Sequence, residues 1–177
     1  MIQMRKATIK DARYIALLGR ITFAETFSKY FRDQQDLFDY HEQTFDVNKI
    51  TASLQKENNR YWIAFWNELP VGYAILKVSS PTEFITTEEV FQLQKIYVLK
   101  EFLNKNAGRL LMDKLMKSFN DSDKSQIWLS VLKSNERAIK FYYKNGFEHV
   151  GEHLFQIGKE IFDFYVMRCR KEEDNDR

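Results

Sequence analysis

The segment FQLQKIYVLKEFLNKNAGRLLMDKLMKSF, residues 91–119, decides the fold. Its first eight residues, FQLQKIYV (91–98), alternate as a strand does. From about 107 to 119 the pattern changes: Leu111, Leu115 and Phe119 recur at four-residue steps, with Met112 and Met116 beside them, the apolar face of a helix. A polar turn separates the two and enters the helix at Gly108. A helix N-terminus presents unpaired N–H groups and a partial positive charge, so an anion there gains several hydrogen bonds at once. Lys105 and Arg109 flank the turn and can add charge. A tight turn needs residues at positive φ, and Asn104 and Asn106 stand where glycine would be freest; asparagine is the next most tolerant residue. These residues alone leave two readings open, an anion cradle or a capped turn whose asparagines end a strand.

Outward from this segment the signals are regular. IWLSVL (127–132) reads as the next strand, so 91–132 is a strand–loop–helix–strand unit with a right-handed parallel crossover. In NERAIKFYYKNGF (135–147), Asn135 either caps the helix ERAIKFYYK or meets a ligand, and Asn145-Gly146 signals the helix end. Ala138, Phe141 and Tyr142 share one helix face; Phe141 and Phe147 read as core, whereas Tyr142 carries a hydroxyl that needs a partner if buried. Two final strands, 148–157 and 161–169, turn at Gly158-Lys159. Upstream, Ile2 and Met4 suggest a short strand, and Asp11 a cap for a helix with Ile15, Leu18 and Ile21 inward and Tyr14 and Leu17 beside them. A second helix over 34–45 places Leu37, Phe38, His41 and Phe45 on one face; Asp46 caps a third, with Val47, Ile50 and Leu54 inward. YWIAFW (61–66) and VGYAILKVS (71–79) form a hairpin around 67–70, and 80–89 is a loop. The order predicts an α/β (mixed α+β) fold, a mixed central sheet of about seven strands flanked by helices.

The 177 residues suit one domain, 1–170, followed by a charged tail, 171–177. With 27 basic and 25 acidic side chains the balance argues against a nucleic-acid or membrane partner. Cys169, the single cysteine, cannot form an intrachain disulfide; with no secretory h-region and no long apolar run, a soluble cytoplasmic protein is expected, monomer or homodimer. His41, His149 and His153 are scattered, so no metal site is expected.

QKIYV, NKNAGRLLMDKL, IWLSV and NERAIKFYYKNGF together resemble the cofactor-binding half of the GNAT acetyltransferase superfamily, in order and spacing. TFAETF (22–27), the helix-rich 34–56 and FQIGKEIFDFYVMRC (155–169) look like its PaiA-type, polyamine acetyltransferase branch. The resemblance implies a GNAT fold in which acetyl-CoA, the acetyl donor, lies in a V between strands 91–98 and 127–132, splayed after Val98. It implies that the backbone of Ile96, Tyr97 and Val98 meets the pantetheine arm. Amides of Leu103, Asn104, Lys105, Asn106, Ala107, Gly108 and Arg109 would hold the pyrophosphate. Asn135 and Ala138 would approach the pantetheine, Lys144 a phosphate, and Tyr142 would protonate the leaving thiolate. The family's Gln/Arg-x-x-Gly-x-Gly/Ala motif reads here Leu103, Asn106 and Gly108, so the expected cradle works through backbone amides and Lys105. Many relatives carry a glutamate on the strand before the bulge; here Gln92 and Gln94 stand instead, leaving Glu25, His41, Tyr97 or a water chain to be weighed as the base. Glu25 reads first as a solvated helix face and His41 as a packed histidine. The expected reaction is direct acetyl transfer to a small-molecule amine such as a polyamine. Glu83, Glu88 and Glu89 could form the acidic pocket that a polyamine wants, although loop glutamates of this kind are more often solvated. The alternative is a non-catalytic binding or regulatory module with a degraded loop.

Overall fold

The chain runs β1 (Ile2–Lys6), α1 (Ala12–Phe27), α2 (Gln34–Thr44), α3 (Val47–Leu54), β2 (Asn59–Trp66), β3 (Leu69–Lys77), β4 (Phe91–Val98), α4 (Ala107–Asn120), β5 (Gln126–Leu132), α5 (Glu136–Lys144), β6 (Glu148–Ile157) and β7 (Glu160–Arg170). The structure is a computed structural model that describes residues 1–87 and 89–171. One seven-stranded sheet has the order β1-β2-β3-β4-β5-β7-β6. Every pairing is antiparallel except β4 with β5, which α4 connects as the expected parallel crossover. Among the described residues, no helix is long and apolar enough to cross a membrane.

Each element follows from local chemistry. Asn67 and Glu68, at φ 46° and 71°, close the β2–β3 hairpin as a two-residue turn, tighter than the four residues expected. Asp46 caps α3 by accepting from Lys49 N at 2.8 Å. The stripe Leu111, Met112, Leu115 and Phe119 is fully buried, packing α4 on one face of the sheet with Phe91, Leu93, Ile127 and Leu129. Burial of that kind contributes roughly 1.5–3 kcal/mol per large side chain. The other face carries a second core, in which α1–α3 cover Tyr61, Ile63, Tyr73 and Ile75.

Three helix faces differ from expectation. In α1, Ile15 and Leu18 are buried, but Tyr14, Leu17 and Ile21 are exposed. The inward face is Ala12, Ala16, Gly19, Phe23 and Phe27 instead. Its small residues let α1 approach the core closely: a Cβ on Gly19 would collide with the Phe45 ring. Phe38 and Val47 also turn outward, because α2 and α3 bury narrower faces through Leu37, His41 and Ile50. Asp11 does not cap α1 with its side chain; it accepts from Thr8 N at 2.7 Å and pairs with Arg5 at 2.7 Å, tying β1 to the turn before the helix. Lys171, assigned to the tail, is held by its backbone N–H on Ser125 O, and its ammonium lies 5.0 Å over the Phe119 ring. The rest of that tail, 172–177, lies outside the described residues.

β4 carries the feature that shapes the middle of the sheet. Ile75 pairs with Lys95 and Leu76 with Leu93, so Gln94 is an extra residue, a β-bulge. Only Phe91 and Gln92 pair with β5, opposite Ile127 and Trp128. The two strands therefore part just after Gln92, well before the expected Val98, because the bulge bends β4 away from its neighbour.

Burial raises the phenols of Tyr40, Tyr61, Tyr73 and Tyr97 above the usual tyrosine range. The folded chain thus holds these protons more tightly than the unfolded one. Their contribution to stability is complete below about pH 10, the unfolded value, and is lost as pH rises through the folded values. The melting temperature should stay level up to about pH 10 and fall above it, with phenolate absorbance of the buried tyrosines rising together with loss of circular dichroism. Full phenolate titration of a chain that is still folded would contradict this.

Candidate active site

Where β4 and β5 part, a cavity of about 980 Å³ opens. Ile96, Tyr97, Val98, Leu103, Asn106, Gly108, Arg109, Asn135, Ala138, Tyr142 and Lys144 all line it. Eleven of the fourteen residues expected from the sequence thus meet in one place; Asn104, Lys105 and Ala107 do not line it.

The strand edge is the first component. Leu99 N donates to Val71 O at 2.9 Å, toward β3. Backbone groups alternate direction along a strand, so those of Ile96 and Val98 point the other way, toward the gap left by β5. A linear ligand can pair with them as an added strand.

The loop is the second. Asn106 does adopt the glycine-like conformation, φ 64° and ψ 6°, and stands at the N-cap of α4. Asn104 does not have positive φ. Leu103 N and Lys105 N are committed to Lys100 O and Phe102 O at 3.3 and 3.0 Å, so they are not free for an anion as expected. The N–H groups of Asn104, Asn106, Ala107, Gly108 and Arg109 have no intrachain acceptor among the described residues. A Cβ placed on Gly108 would meet nothing closer than Val98 Cγ2 at 4.0 Å, so a ligand has room against the helix start. These features fit a pyrophosphate. The cations differ from expectation: Lys105 Nζ turns away and lies 5.8 Å over the Trp66 ring. Arg137 takes its place at the cavity, where its guanidinium donates to Asn104 Oδ1 at 2.9 Å. It sits on α5, too far along the chain for the loop motif to have pointed to it.

Tyr142 is the third component. The end of α5 fixes it: Phe147 N donates to Tyr142 O and Gly146 N to Tyr143 O, both at 3.1 Å, the Schellman arrangement, and the Phe147 ring packs 5.9 Å from that of Tyr142. Tyr142 is 7% exposed, and burial pushes its phenol above the usual range, with Tyr97 adding to the effect. Asn135 caps α5, accepting from Ala138 N at 3.2 Å, so its carbonyl serves the helix and its amide nitrogen remains for a ligand.

The far half of the cavity is lined by α1, β4 and the β6–β7 hairpin. Glu25 lines it, but its Oε2 accepts from Lys100 N at 2.9 Å and so ties α1 to the end of β4. His41 is buried outside the cavity between Phe23 and Phe45, and burial lowers its basicity. Glu83 and Glu89 are exposed and do not line the cavity; Glu89 pairs with Lys124 at 2.8 Å, the solvated behaviour of loop glutamates. Glu88 lies outside the described residues. Sequence reading missed two side chains here. His153 lines the cavity, with Nε2 2.9 Å from Ser130 Oγ and its ring stacked on Phe164 at 5.3 Å. Lys95 projects toward the same half. Among the described residues, no group of three or more metal-ligating side chains occurs.

Residues 21–147 match the acetyltransferase (GNAT) family. An uncharacterized N-acetyltransferase of Lactobacillus delbrueckii subsp. lactis is 24% identical over 159 residues, 90% of this chain and 91% of that protein. One of Mycobacterium tuberculosis is 32% identical over 97 residues, 55% of this chain and 58% of its own length. The fold is that of the PaiA N-acetyltransferase from Thermoplasma acidophilum, solved in complex with coenzyme A, with a TM-score of 0.74, 20% identity, and coverage of 96% of this chain and 99% of that one. The chain belongs to the GNAT acetyltransferase family.

The left-handed turn at Asn106 is open to test. Asn106→Gly keeps that conformation without strain and should leave acetyl-CoA affinity within about twofold, whereas Asn106→Val, at a cost of roughly 1–2 kcal/mol, should weaken it about tenfold or more. Calorimetric titration measures both; equal affinity for the two variants would remove Asn106 from the cradle.

Proposed function

We propose that this member of the GNAT acetyltransferase family, acting as a single domain over residues 1–170, moves an acetyl group from acetyl-CoA directly to a primary amine of a small molecule. One observation carries the reading: the unpaired edge of Ile96 and Val98, the uncommitted amides at the start of α4 and the phenol of Tyr142 meet in one cavity. The coenzyme A in the Thermoplasma neighbour supports the same ligand here. When bound, acetyl-CoA supplies an acetyl group already activated as a thioester.

The chain's residues then divide the work. The backbone of Ile96 and Val98 holds the pantetheine arm, with the Asn135 amide beside it. Amides from Asn106 to Arg109, with Arg109 and Arg137, hold the pyrophosphate, and Lys144 a further phosphate. The Val98 N–H donates to the thioester oxygen as charge develops there; one such donor is typically worth about 10²–10³ in rate. Tyr142, kept protonated by burial, donates to the sulfur and passes on its proton as the thiolate forms. The acceptor must lose a proton to attack, since a free alkyl amine has a pKa near 10.4. Tyr97 cannot remove it, because burial holds its own proton firmly. Glu25 has an oxygen committed to Lys100 N. His153, oriented by Ser130 and the Phe164 ring, is the base in this proposal. Glu83 and Glu89 are absent from the cavity walls, so these two loop glutamates lend no support to a polyamine acceptor. The unpaired, buried Cys169 supports a cytoplasmic setting, with the chain as monomer or homodimer.

Thiol release from acetyl-CoA with a panel of primary amines tests the reading. Tyr142→Phe and His153→Gln should each lower kcat by about 10²-fold or more while acetyl-CoA affinity, measured by calorimetry, stays within about threefold. Tight acetyl-CoA binding with no thiol release for any amine would instead favour the non-catalytic module.

A further inference from the structure

Lys95 has no role in the reaction as described. It follows the Gln94 bulge directly, which turns its side chain to the acceptor half of the cavity beside Tyr40 and Tyr97. Its ammonium lies 5.5 Å over the Phe45 ring and 5.4 Å over the Tyr97 ring. No carboxylate pairs with it among the described residues: burial is what lowers its basicity, and Tyr40 opposes that effect. An ammonium set among aromatic rings without an anion is costly to bury, and the rings recover only part of the cost. Elsewhere in this half the charges are Lys29, Lys100 and Glu25, and Glu25 is held by the Lys100 N–H. Thr22, Thr26 and Tyr30 add only neutral hydroxyls, which already donate to Leu18 O and Thr22 O or pair with Ser134 Oγ. The half that receives the acceptor is therefore short of acid and holds an unanswered cation.

We propose that Lys95 is the counter-charge for an anionic group on the acceptor, so that the acceptor is a primary amine that also carries a carboxylate. This rests on the transferase reading above and names its substrate class. A polycation would meet Lys95 as a like charge in a partly desolvated place, whereas a carboxylate gains a charge-assisted hydrogen bond there. Lys95 stands three residues before Val98, roughly 10 Å along the strand, so amine and carboxylate are separated by several methylenes or a comparable span.

Calorimetric titration of the chain, with and without coenzyme A, uses N-acetyl-ω-amino acids of increasing length, the products such acceptors would give, and their primary amides. At the best length the carboxylate should bind about tenfold or more tightly than its amide; Lys95→Met should bring that ratio to about one, and Lys95→Arg should preserve it. Equal affinity for acid and amide in the wild-type chain at every length, or a ratio that survives Lys95→Met, overturns the assignment; the wild-type comparison stands even if a variant does not fold. Thiol release with primary amines that lack a carboxylate, run in parallel, tests the transferase reading by itself. Turnover without any carboxylate preference overturns the Lys95 assignment alone. Lys95-dependent carboxylate binding without thiol release for any amine upholds the anion site and overturns the transferase reading.

Discussion

One extra residue in β4 governs the rest of the structure. Side chains alternate across a strand with a period of two, so inserting Gln94 exchanges the faces of everything that follows it. Phe91 and Leu93 sit in the core beneath α4, and without the bulge Lys95 and Tyr97 would have followed them there. Instead Ile96 and Val98 pack on that side, while Tyr97 and Lys95 turn to the opposite half. The same irregularity ends the ladder with β5 after two pairs of residues. A single insertion thus opens the cavity, bares a strand edge along one side of it, and assigns different side chains to its two halves.

The loop after β4 shows a similar economy. Asparagine at position 106 takes up a conformation that is nearly free only for glycine, and α4 begins there with its first amides unspent. Charge is supplied by Arg109 at the helix start and, across the gap, by Arg137. Lys105 leans on Trp66, and Arg137 reaches over from α5 to Asn104. An anion seated at α4 therefore meets groups from both sides of the gap.

Most of the fold was legible because its punctuation is local. Asp46, Asn135, Asn145-Gly146 and Gly158-Lys159 each mark a boundary by a hydrogen bond or a backbone preference that does not depend on distant residues. The unbroken apolar strands 61–66 and 71–76 are equally plain, since a central strand is buried on both faces. What escaped reading depends on neighbours. The face of α1 is chosen by close approach through Ala16 and Gly19, not by its largest side chains, Tyr14 and Leu17. The bulge is a one-residue offset inside a strand that alternates well enough to hide it. Tyr142 could be found because a motif surrounds it, but His153, Lys95 and Arg137 acquire their surroundings only from the order of strands in the sheet.

The brevity of the β4–β5 ladder has a consequence for how the molecule holds together. Strands β1–β4 form one hydrogen-bonded block and β5–β7 another, joined by two residue pairs. Side-chain packing unites them on both faces: Leu111, Met112, Leu115 and Phe119 of α4 share one core with Phe91 and Leu93 of one block and Ile127 and Leu129 of the other, and on the opposite face Phe27 and Phe31 pack against Phe162. The seam is a greasy keel, not a ladder. Few backbone hydrogen bonds cross it, so the joint rests on side-chain packing. A molecule lying along Ile96 and Val98 would add hydrogen bonds at the seam, where the sheet itself supplies only two residue pairs.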